Sequence, residues 1–408
     1  MKILRIIASM QPKNGGPGQG IRHSITEMAK SGIINHVVCL DNPVEQYLTD
    51  KIDNFTIYAL GPSSTGWQYS KALRPWLNKN LQNYDVVIVH GLWLYHGYAA
   101  YKAVKKRNAL ITKTHSKEKQ IKFFVMPHGM LDPYFQKAGS RRLKAIRNFF
   151  YWYLVECKVI HFADAMLFTS KSELELARET FAYYKPKNEV NIGYGIPYPK
   201  PENPNCADTF RDKTHGLGTR PYWVFLSRIH EKKGIDLLLD GYKYLLENQL
   251  STLGEQHIEL PCIVIAGPGW DEPYGKMVAE KINAEPLFKN RVFTVGMITG
   301  DLKWGALIGA EAFVLPSHQE NFGIAVAEAL ACHTPVLITN KVNIWREVEA
   351  AGAAIVADDT FEGVKGLLTQ WLSISRDEKY KMRENAFKCF STTYNISKPT
   401  ENLLTALA

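Results

Sequence analysis

AFVLPSHQENFGIAVAEALA, residues 312–331, reads as a buried strand, a polar turn and a helix in direct succession. The apolar run has the length of a strand and stops at Pro316. The apolar residues that return after the turn predict a helix beginning near Phe322 and Gly323. A strand followed at once by a helix is the repeating unit of parallel sheets. Ligands of such sheets bind beyond the carboxyl ends of the strands, so we expect the functional residues in the turns that follow strands.

Apolar runs of strand length recur on both sides of this segment, with helix-like segments between most of them. They fall at 2–8, 36–40, 85–89, 122–126 and 165–168 in the first half, and at 222–227, 262–266, 291–295, 312–315, 335–339 and 353–356 in the second. The stretch 185–220 is rich in Pro, Gly and Asn and is interpreted as an interdomain linker. The pattern predicts an α/β protein with two Rossmann-like, parallel-sheet domains and a cleft between them.

Two glutamates lie in the turn and helix of the first segment. Glu320 comes before the helix and Glu328 lies within it. Free N–H groups at a helix start favour an anion or a hydroxyl, so Glu320 would face a ligand held there, and Glu328 could accept hydrogen bonds from more distant hydroxyls. The alternative is that Glu320 caps the helix and Glu328 lies on a solvated face. The apolar neighbours of Glu328 predict a largely buried helix, where an unpaired carboxylate is costly, and this favours a functional role.

A second turn, within WVFLSRIHEKKGIDLLLD at 223–240, carries Arg228 and Lys233 between a strand and an apolar helix. A guanidinium fork and an ammonium point charge together suit a diphosphate. The alternative is a pair of basic residues on a solvated loop.

The first turn, ASMQPKNGGPGQGIRHS at 8–24, contains Gly15, Gly16, Gly18 and Gly20 between a strand and a helix. Glycines there let backbone N–H groups approach a ligand closely. The spacing is neither GxGxxG nor a Walker loop, so a phosphate cradle and a merely tight turn both remain open.

Two further turns of the first half carry histidines directly after strands. His90 lies in VIVHGLWLYHG and His128 in FFVMPHGMLDPY. An imidazole beyond a strand end can bind a sugar hydroxyl or a developing charge, although single histidines are mostly structural. Trp93 could form a stacking platform for a sugar, or it could pack into the core.

Several site classes are not supported by the sequence. No D-x-D pair and no Cys/His cluster is present, so no metal and no cofactor is expected. The sequence contains no G-x-S-x-G elbow, which argues against an α/β-hydrolase. Six scattered cysteines without a CxxC pair and the lack of a long apolar stretch predict a cytoplasmic protein without a disulfide framework.

Positive charge is concentrated in the first half of the chain. Residues 1–200 carry 28 Lys and Arg against 14 Asp and Glu, whereas residues 201–408 carry 21 against 26. Such a field attracts anionic partners. The segment 137–158 combines basic with aromatic residues and predicts either a peripheral contact with an anionic membrane or a packed helix with a solvated basic face. No nucleic-acid recognition module is visible, so no nucleic-acid partner is expected.

Taken together, these turns resemble family 4 of the retaining glycosyltransferases, which have the GT-B architecture of two facing Rossmann-like domains. LPSHQENFGIAVAEALACHTPVLIT is similar to the E-x7-E segment of that family, and FLSRIHEKKGIDLLLDGY is similar to its Arg…Lys-Gly segment; VIAGPGW, RVFTVGMI and the glycine-containing first turn fit as well. The resemblance covers most of residues 1–395. It implies an acceptor-binding domain at 1–197, a nucleotide-sugar-binding domain at 198–387, and a terminal helix from about 388 that returns to the first domain.

The resemblance also implies a role for each matched position. Glu320 and His128 would contact the donor sugar, Glu328 the ribose hydroxyls, and Arg228 and Lys233 the diphosphate, in place of a metal. The backbone would complete the donor site at Gly16, Gly267, Gly296, Met297, Asn321, Phe322, Gly323 and Ile324. His90 and Trp93 are the candidates for acceptor binding.

The expected function is therefore metal-independent transfer of a hexose from a nucleotide-diphosphate sugar to a glycan or lipid-linked acceptor in polysaccharide biosynthesis. UDP-glucose is the first expectation for the donor and GDP-mannose the second. Asn321 and Cys332 depart from the small residues or Gly common in the family and leave the donor open. A sugar-nucleotide epimerase of similar architecture and a non-catalytic nucleotide- or glycan-binding subunit are the alternatives.

Overall fold

A computed structural model describes residues 1–12, 16–137, 142–251 and 260–408. Gly15 of the glycine-rich turn and residues 138–141 of the basic segment lie outside the described residues. The chain divides into a first unit, residues 1–195 with 396–408, and a second unit, residues 196–395. The sequence placed the boundary at 197 and the return to the first domain at 388.

Each unit is built on one parallel sheet. The first has seven strands in the order β3-β2-β1-β4-β5-β6-β7: β1 (Lys2–Ile7), β2 (Ile34–Cys39), β3 (Thr56–Ala59), β4 (Val86–His90), β5 (Lys122–Met126), β6 (Ala165–Phe168) and β7 (Glu189–Asn191). The second has six in the order β10-β9-β8-β11-β12-β13: β8 (Tyr222–Leu226), β9 (Cys262–Ala266), β10 (Val292–Gly296), β11 (Ala312–Leu315), β12 (Val336–Thr339) and β13 (Ala354–Ala357). The prediction of two parallel-sheet domains is confirmed.

Helices follow most of the strands. They are α1 (Gly16–Ala29), α2 (Gln46–Thr49), α3 (Leu73–Asn80), α4 (Tyr95–Lys113), α5 (Tyr134–Lys137), α6 (Arg142–Tyr151), α7 (Cys157–Phe162), α8 (Lys171–Thr180), α9 (Cys206–Lys213), α10 (Ile235–Ser251), α11 (Pro273–Ala284), α12 (Gly300–Ile308), α13 (Ile324–Ala331), α14 (Trp345–Ala350), α15 (Phe361–Ser373), α16 (Arg376–Cys389) and α17 (Ser397–Leu407). A π-helical turn joins α6 to α7 at Trp152–Glu156, and another follows α16 at Phe390–Tyr394.

The central strands were predicted correctly because both of their faces are buried. Every residue of β4, β8 and β9 is buried, and these strands are apolar throughout except for His90 at the end of β4. The edge strands β3 and β7, which are short and only partly buried, were missed, whereas β10 and β13, which are partly buried at the edges of the second sheet, were found. The stretch 185–220 contains the boundary between the units, but it also contains β7 and α9, so its interpretation as a linker alone was wrong.

The return to the first unit comes later than residue 388 because the π-helical turn at Phe390–Tyr394 belongs to the second unit. Phe390 and Tyr394 are buried, and the Tyr394 ring packs edge-on against Phe322, with 5.5 Å between the ring centroids. Only α17 packs in the first unit, where Leu403 and Leu407 join the apolar layer formed with Ile3 and Met28.

Candidate active site

In the second unit, Lys233 and Glu320 form an ion pair between the turns that follow β8 and β11. The Lys233 side chain is 10% exposed and that of Glu320 is 22% exposed. Lys233 ends a short 3-10 turn, after which Gly234 adopts a positive φ of 64°. A Cβ on Gly234 would lie 2.1 Å from the carbonyl oxygen of Pro316, so only glycine lets the two turns pack this closely.

Backbone hydrogen bonds lock the same two turns together. The His318 N–H and the Ser317 hydroxyl both donate to the carbonyl oxygen of Lys232, each at 2.8 Å. The backbone of Glu320 is fixed by its N–H, which donates to the Lys341 carbonyl at 2.9 Å, and by its own carbonyl, which accepts from Asn343 at 3.0 Å. The Lys233–Glu320 pair is therefore held by the fold and does not depend on a ligand to form.

The Glu320 carboxyl is an anion at neutral pH. Burial opposes its ionisation, but the Lys233 ammonium and backbone hydrogen bonds from Gly323 and Asn321 outweigh burial and lower its pKa. Glu320 thus interacts with the turn before α13, as the alternative of a helix cap predicted, and it also pairs with Lys233. A carboxylate in this state accepts hydrogen bonds from hydroxyl groups and does not act as a general acid.

Arg228 differs from Lys233 in its surroundings. It is exposed in the turn after β8, and it forms no hydrogen bond or ion pair with any described residue. Burial lowers the pKa of the neighbouring His230, and the positive charge of Arg228 lowers it further. The guanidinium is therefore available for an anionic ligand, whereas the Lys233 ammonium already has a carboxylate partner.

Glu328 is not an unpaired carboxylate, which corrects the argument drawn from its apolar neighbours. Lys303 on α12 donates to Glu328 Oε1 at 2.7 Å, and the two side chains are 23% and 14% exposed. The Lys303 ammonium also lies 3.9 Å from the ring centroid of Trp304. Sequence reasoning missed Lys303, because it lies on a different helix and no local spacing links it to Glu328.

The start of α13 has an irregular geometry. Gly323 is its N-cap and adopts a positive φ of 81°, and Ile324 is the first helical residue. The side chain of Phe322 is buried against Tyr394. Asn321 contributes to the hydrogen bonding of Glu320. Roles for these residues in donor binding remain predictions.

The turns after β9 and β10 touch each other through glycines. The Gly267 N–H donates to the Gly296 carbonyl at 2.7 Å, and a Cβ on Gly267 would lie 1.8 Å from the carbonyl oxygen of Ser227. Met297, which follows Gly296, is 67% exposed. The predicted contact of Gly296 and Met297 with a nucleotide base stays a prediction.

In the first unit, the two predicted histidines contact each other. His90 Nδ1 and His128 Nε2 are 2.9 Å apart, and the rings are stacked with 5.2 Å between centroids. His128 adopts a positive φ of 52°, which is uncommon for a residue with a side chain. Glu173 holds this turn, since its buried carboxylate accepts from the N–H groups of Gly129 and Thr169. Sequence reasoning missed Glu173.

Both histidines are neutral across the physiological range. Burial lowers the pKa of His128 to about 3, and the positive charge of Arg5 lowers it further. Burial also lowers the pKa of His90 well below its usual value, with contributions from His128, Arg5 and His96. This pair can therefore donate and accept hydrogen bonds, but it carries no charge at neutral pH.

Trp93 packs within the first unit. Its ring lies 5.5 Å from Phe181 and 6.4 Å from Trp152, centroid to centroid, which favours the packing interpretation over a stacking platform. The backbone N–H of Trp93 donates at 3.2 Å to the buried carboxyl of Glu156. Burial raises the pKa of this carboxyl to about 8. A neutral carboxylic acid thus lies beneath the turn that follows β4.

Gly16 begins α1 with a positive φ of 26°, and the space where a Cβ would lie is open. Its carbonyl accepts from the Tyr194 hydroxyl at 3.2 Å. The predicted contact of Gly16 with a phosphate stays a prediction.

The described residues contain no group of three or more His, Cys, Asp or Glu side chains arranged to hold a metal ion. None of the helices they form is long and apolar enough to span a bilayer. All six cysteines are free.

Two family models match this chain in succession. The model described as Glycosyltransferase Family 4 matches residues 14–190, and the model described as Glycosyl transferases group 1 matches residues 207–388. The first match lies within the first unit and the second within the second unit.

Curated relatives match parts of the chain. Mannosylfructose-phosphate synthase of Agrobacterium fabrum is 28% identical over 136 residues, which cover 33% of this chain and 28% of the relative. The 2-deoxystreptamine N-acetyl-D-glucosaminyltransferase of Niallia circulans is 26% identical over 270 residues, which cover 65% of this chain and 61% of the relative. The matches thus span less than two thirds of these relatives' own lengths.

The fold has close counterparts among solved structures. The structure of Anabaena Alr3699/HepE in complex with UDP and glucose aligns with a TM-score of 0.69 at 16% identity, covering 100% of this chain and 99% of that one. At this identity the likeness shows the fold alone. The two family models account for most of both units, and the chain belongs to the family 4 glycosyltransferases of GT-B fold.

Proposed function

We propose that this protein transfers a hexose from a nucleotide-diphosphate sugar to a glycan or lipid-linked acceptor, with retention of the anomeric configuration and without a metal ion. The observation that carries the proposal is the post-strand cluster of the second unit, in which the Lys233–Glu320 pair and Arg228 occupy the turns after β8 and β11. Family membership supports glycosyl transfer.

The charges in this cluster suit the leaving group of such a transfer. Breaking the bond between sugar and phosphate develops negative charge on the departing diphosphate and positive charge on the anomeric carbon. Fixed cations stabilise the departing charge without reorganising. Arg228 would bind a phosphate directly, while Lys233 would share its donors between the diphosphate and Glu320.

Glu320 would bind the sugar. As a carboxylate, it can accept hydrogen bonds from sugar hydroxyls, and its negative charge favours the positive charge that develops on the anomeric carbon. Glu328, already paired with Lys303, can use its second oxygen for the ribose hydroxyls. In the first unit, neutral His128 would donate to or accept from a hydroxyl of the donor sugar.

UDP-glucose is the first candidate donor. Anabaena Alr3699/HepE, which shares the fold, has been solved with UDP, with UDP and glucose, and with UDP-glucose. GDP-mannose is the second candidate, since O-antigen chain mannosyltransferase B of Escherichia coli is 25% identical over 142 residues.

The transferase proposal is tested by product analysis. Purified protein is incubated with UDP-glucose or GDP-mannose, with and without a lipid-linked or glycan acceptor, and the nucleoside diphosphate and the glycoside are quantified. We expect both products only when an acceptor is present, and NMR of the glycoside should show the anomeric configuration of the donor. An epimeric sugar nucleotide formed without an acceptor would identify the epimerase alternative, and binding without turnover would identify the non-catalytic one.

We also propose that the first unit contacts an anionic membrane surface through one face of the helical segment 142–156. Most of the residues on this face are large apolar side chains that are exposed: Leu143, Ile146, Phe149, Phe150, Tyr153 and Leu154. The opposite side is buried through Asn148, Trp152 and Glu156. Arg142, Lys144 and Arg147 lie on the same segment, so apolar insertion and attraction to anionic headgroups would act together.

Vesicle co-sedimentation tests this surface. Wild-type protein should bind vesicles of phosphatidylglycerol and phosphatidylcholine more strongly than vesicles of phosphatidylcholine alone, and 1 M salt should weaken the binding. Phe149→Ser with Phe150→Ser should reduce binding at least tenfold, whereas Val44→Ser, at another exposed apolar residue of the first unit, should not. Equal binding by both variants would contradict the proposal.

A further inference from the structure

A small cavity lies within the first unit, on the sheet face covered by α1 and α17. Its volume is about 40 Å³, and its lining includes Arg5 of β1, His90 at the end of β4 and Thr400 of α17. These three residues are at most 5% exposed. The cavity belongs to one layer of one unit, so its walls are set by the packing of α1 and α17 on the sheet.

Arg5 is a buried cation without a carboxylate partner. Its side chain lies in the middle of a parallel sheet, and its recorded partners are all uncharged: Asn35 Oδ1 at 3.0 Å, Ser24 Oγ at 2.9 Å and Met28 Sδ at 3.3 Å. No ion pair joins Arg5 to an Asp or Glu of the described residues. A buried charge that lacks a counter-charge is costly, so a negative charge at this position would stabilise the fold.

Hydrogen-bonding groups without partners border the same cavity. Arg5 uses Nε and Nη2 for the three contacts above, which leaves both N–H groups of Nη1 unused by described residues. His90 Nε2 and Thr400 Oγ1 are buried and have no hydrogen-bond partner among the described residues. Buried polar groups normally find partners, so the two unpartnered groups of His90 and Thr400, beside an arginine that has no carboxylate partner, indicate an occupant.

The chemistry and the size of the cavity restrict that occupant. Arg5 can only donate, and the histidine and the hydroxyl can both donate, so the cavity favours a species that accepts hydrogen bonds and is negatively charged. One water-sized particle needs roughly 10–15 Å³ of such a cavity, so a volume of about 40 Å³ has room for a few of them and favours a small anion.

We propose that this cavity is a binding site for a monatomic anion of halide size, held by Arg5 Nη1, His90 Nε2 and Thr400 Oγ1. The site also determines which of the two histidines donates the hydrogen bond between them. If His90 donates to the anion from Nε2, its neutral ring must accept at Nδ1, so the proton shared at 2.9 Å belongs to His128 Nε2. The anion would therefore act as a positioning element for the His128 ring.

Anomalous diffraction from wild-type crystals in sodium bromide tests the site directly. We expect a bromide peak inside the cavity, in hydrogen-bonding contact with Arg5 and His90. Density without anomalous signal in the cavity would identify water and overturn the proposal, as would bromide peaks confined to the protein surface. This readout does not involve catalysis, so its result is independent of the proposed transferase function.

Thermal unfolding tests whether the anion stabilises the fold. At constant ionic strength, replacing gluconate by chloride should raise the Tm of the wild type by about 2–4 °C, since a ligand that binds only the native state stabilises it. Arg5→Met should abolish this chloride dependence. Arg22→Met is the matched control, because Arg22 also lies in the first unit but pairs with Asp53 at 2.6 Å, and this variant should keep the dependence.

A second variant covers the case in which Arg5→Met does not fold. Thr400→Val removes one donor while conserving the shape of the side chain, and it should weaken the chloride dependence of the Tm and lower the bromide occupancy. A chloride response that is the same in wild type and Thr400→Val, together with an empty cavity in the bromide crystals, would contradict the proposal.

Discussion

In the second unit, the candidate site residues are charged and all but Arg228 are paired, whereas in the first unit the two histidines that follow strands are buried and neutral. Lys233 pairs with Glu320, and Lys303 pairs with Glu328. In the first unit, His90 and His128 share one hydrogen bond, and burial lowers the pKa of both. Two sheets of the same topology class therefore present different chemistry at their carboxyl edges: ionic groups suited to a diphosphate, and neutral groups suited to hydroxyls.

The largest expected effect is on the ionic side of this comparison. Lys233→Met removes the cation next to Glu320. It should raise the barrier of the transferase reaction by about 2–4 kcal/mol, as for lost oxyanion donors, and lower kcat/KM accordingly. Steady-state kinetics measure the change. Lys243→Met is the control, since Lys243 also pairs with a glutamate, Glu285 at 2.5 Å, but lies in the middle of α10. Similar kinetics for both variants would remove Lys233 from the mechanism.

The next prediction concerns the buried carboxyl of Glu156 in the first unit, which we expect to be protonated and neutral. Its folded-state pKa is about 8, above the value of about 4.5 in an unfolded chain, so the folded state binds the extra proton between these values. Stability from this group is complete below about pH 4.5 and is lost as the pH rises through 8. Between pH 6 and pH 8 the loss should be on the order of 2 kcal/mol, because each pH unit between the two pKa values contributes about 1.4 kcal/mol and this slope falls off near pH 8.

Denaturant unfolding of wild type and Glu156→Gln measures this loss as a difference between the two proteins. The variant retains a neutral side chain at every pH, so its stability should fall less between pH 6 and pH 8. Parallel pH profiles for the two proteins would show that Glu156 is ionised in the folded state.

A smaller effect is expected at His128. His128→Ala removes one neutral hydrogen-bonding group and should lower kcat/KM about ten- to thirtyfold, roughly 1.4–2 kcal/mol. Because the pKa of His128 is about 3, the ratio of wild-type to variant activity should be constant from pH 5 to pH 8. His36→Ala, which removes the contact of His36 with the Tyr84 hydroxyl at 2.9 Å, is the control. A ratio that changes near pH 6.5 would mean that His128 titrates.

The smallest effect concerns the Lys303–Glu328 pair. A double-mutant cycle with Lys303→Met and Glu328→Gln should give a coupling energy of about 1 kcal/mol in unfolding, since the pair is partly exposed. Glu328→Gln alone should raise the KM for the donor more than it lowers kcat, if Glu328 binds the ribose. A coupling of zero would show that the two side chains do not interact in solution.

The sequence predicted most where burial leaves a strong pattern. Interior strands such as β8 and β9 are apolar throughout and were found, whereas the short strands β3 and β7 at the edges of the first sheet are only partly buried and were not. Turn residues with charge, such as Lys233 and Glu320, were found because ionic side chains after a strand are conspicuous. That these two pair with each other required the structure, since they are 87 residues apart.

Other site residues left no local signal. Lys303 and Glu173 become relevant only through contacts made in the folded chain, with Glu328 and with the turn at Gly129. Arg5 lies in a run that reads as an ordinary buried strand, KILRIIA, so its burial without a carboxylate could not be seen. The neutrality of His90 and His128 likewise follows from burial and not from residue type.

Isothermal titration of the wild type with UDP, GDP and ADP, each in EDTA and in Mg²⁺, tests most directly the claim that Arg228 and Lys233 bind the diphosphate without a metal. We predict that at least one of these nucleotides binds with the same Kd in EDTA and in Mg²⁺, and that the combined Arg228→Ala and Lys233→Met variant loses this binding. Binding that requires Mg²⁺, or an unchanged Kd in the double variant, would contradict the account.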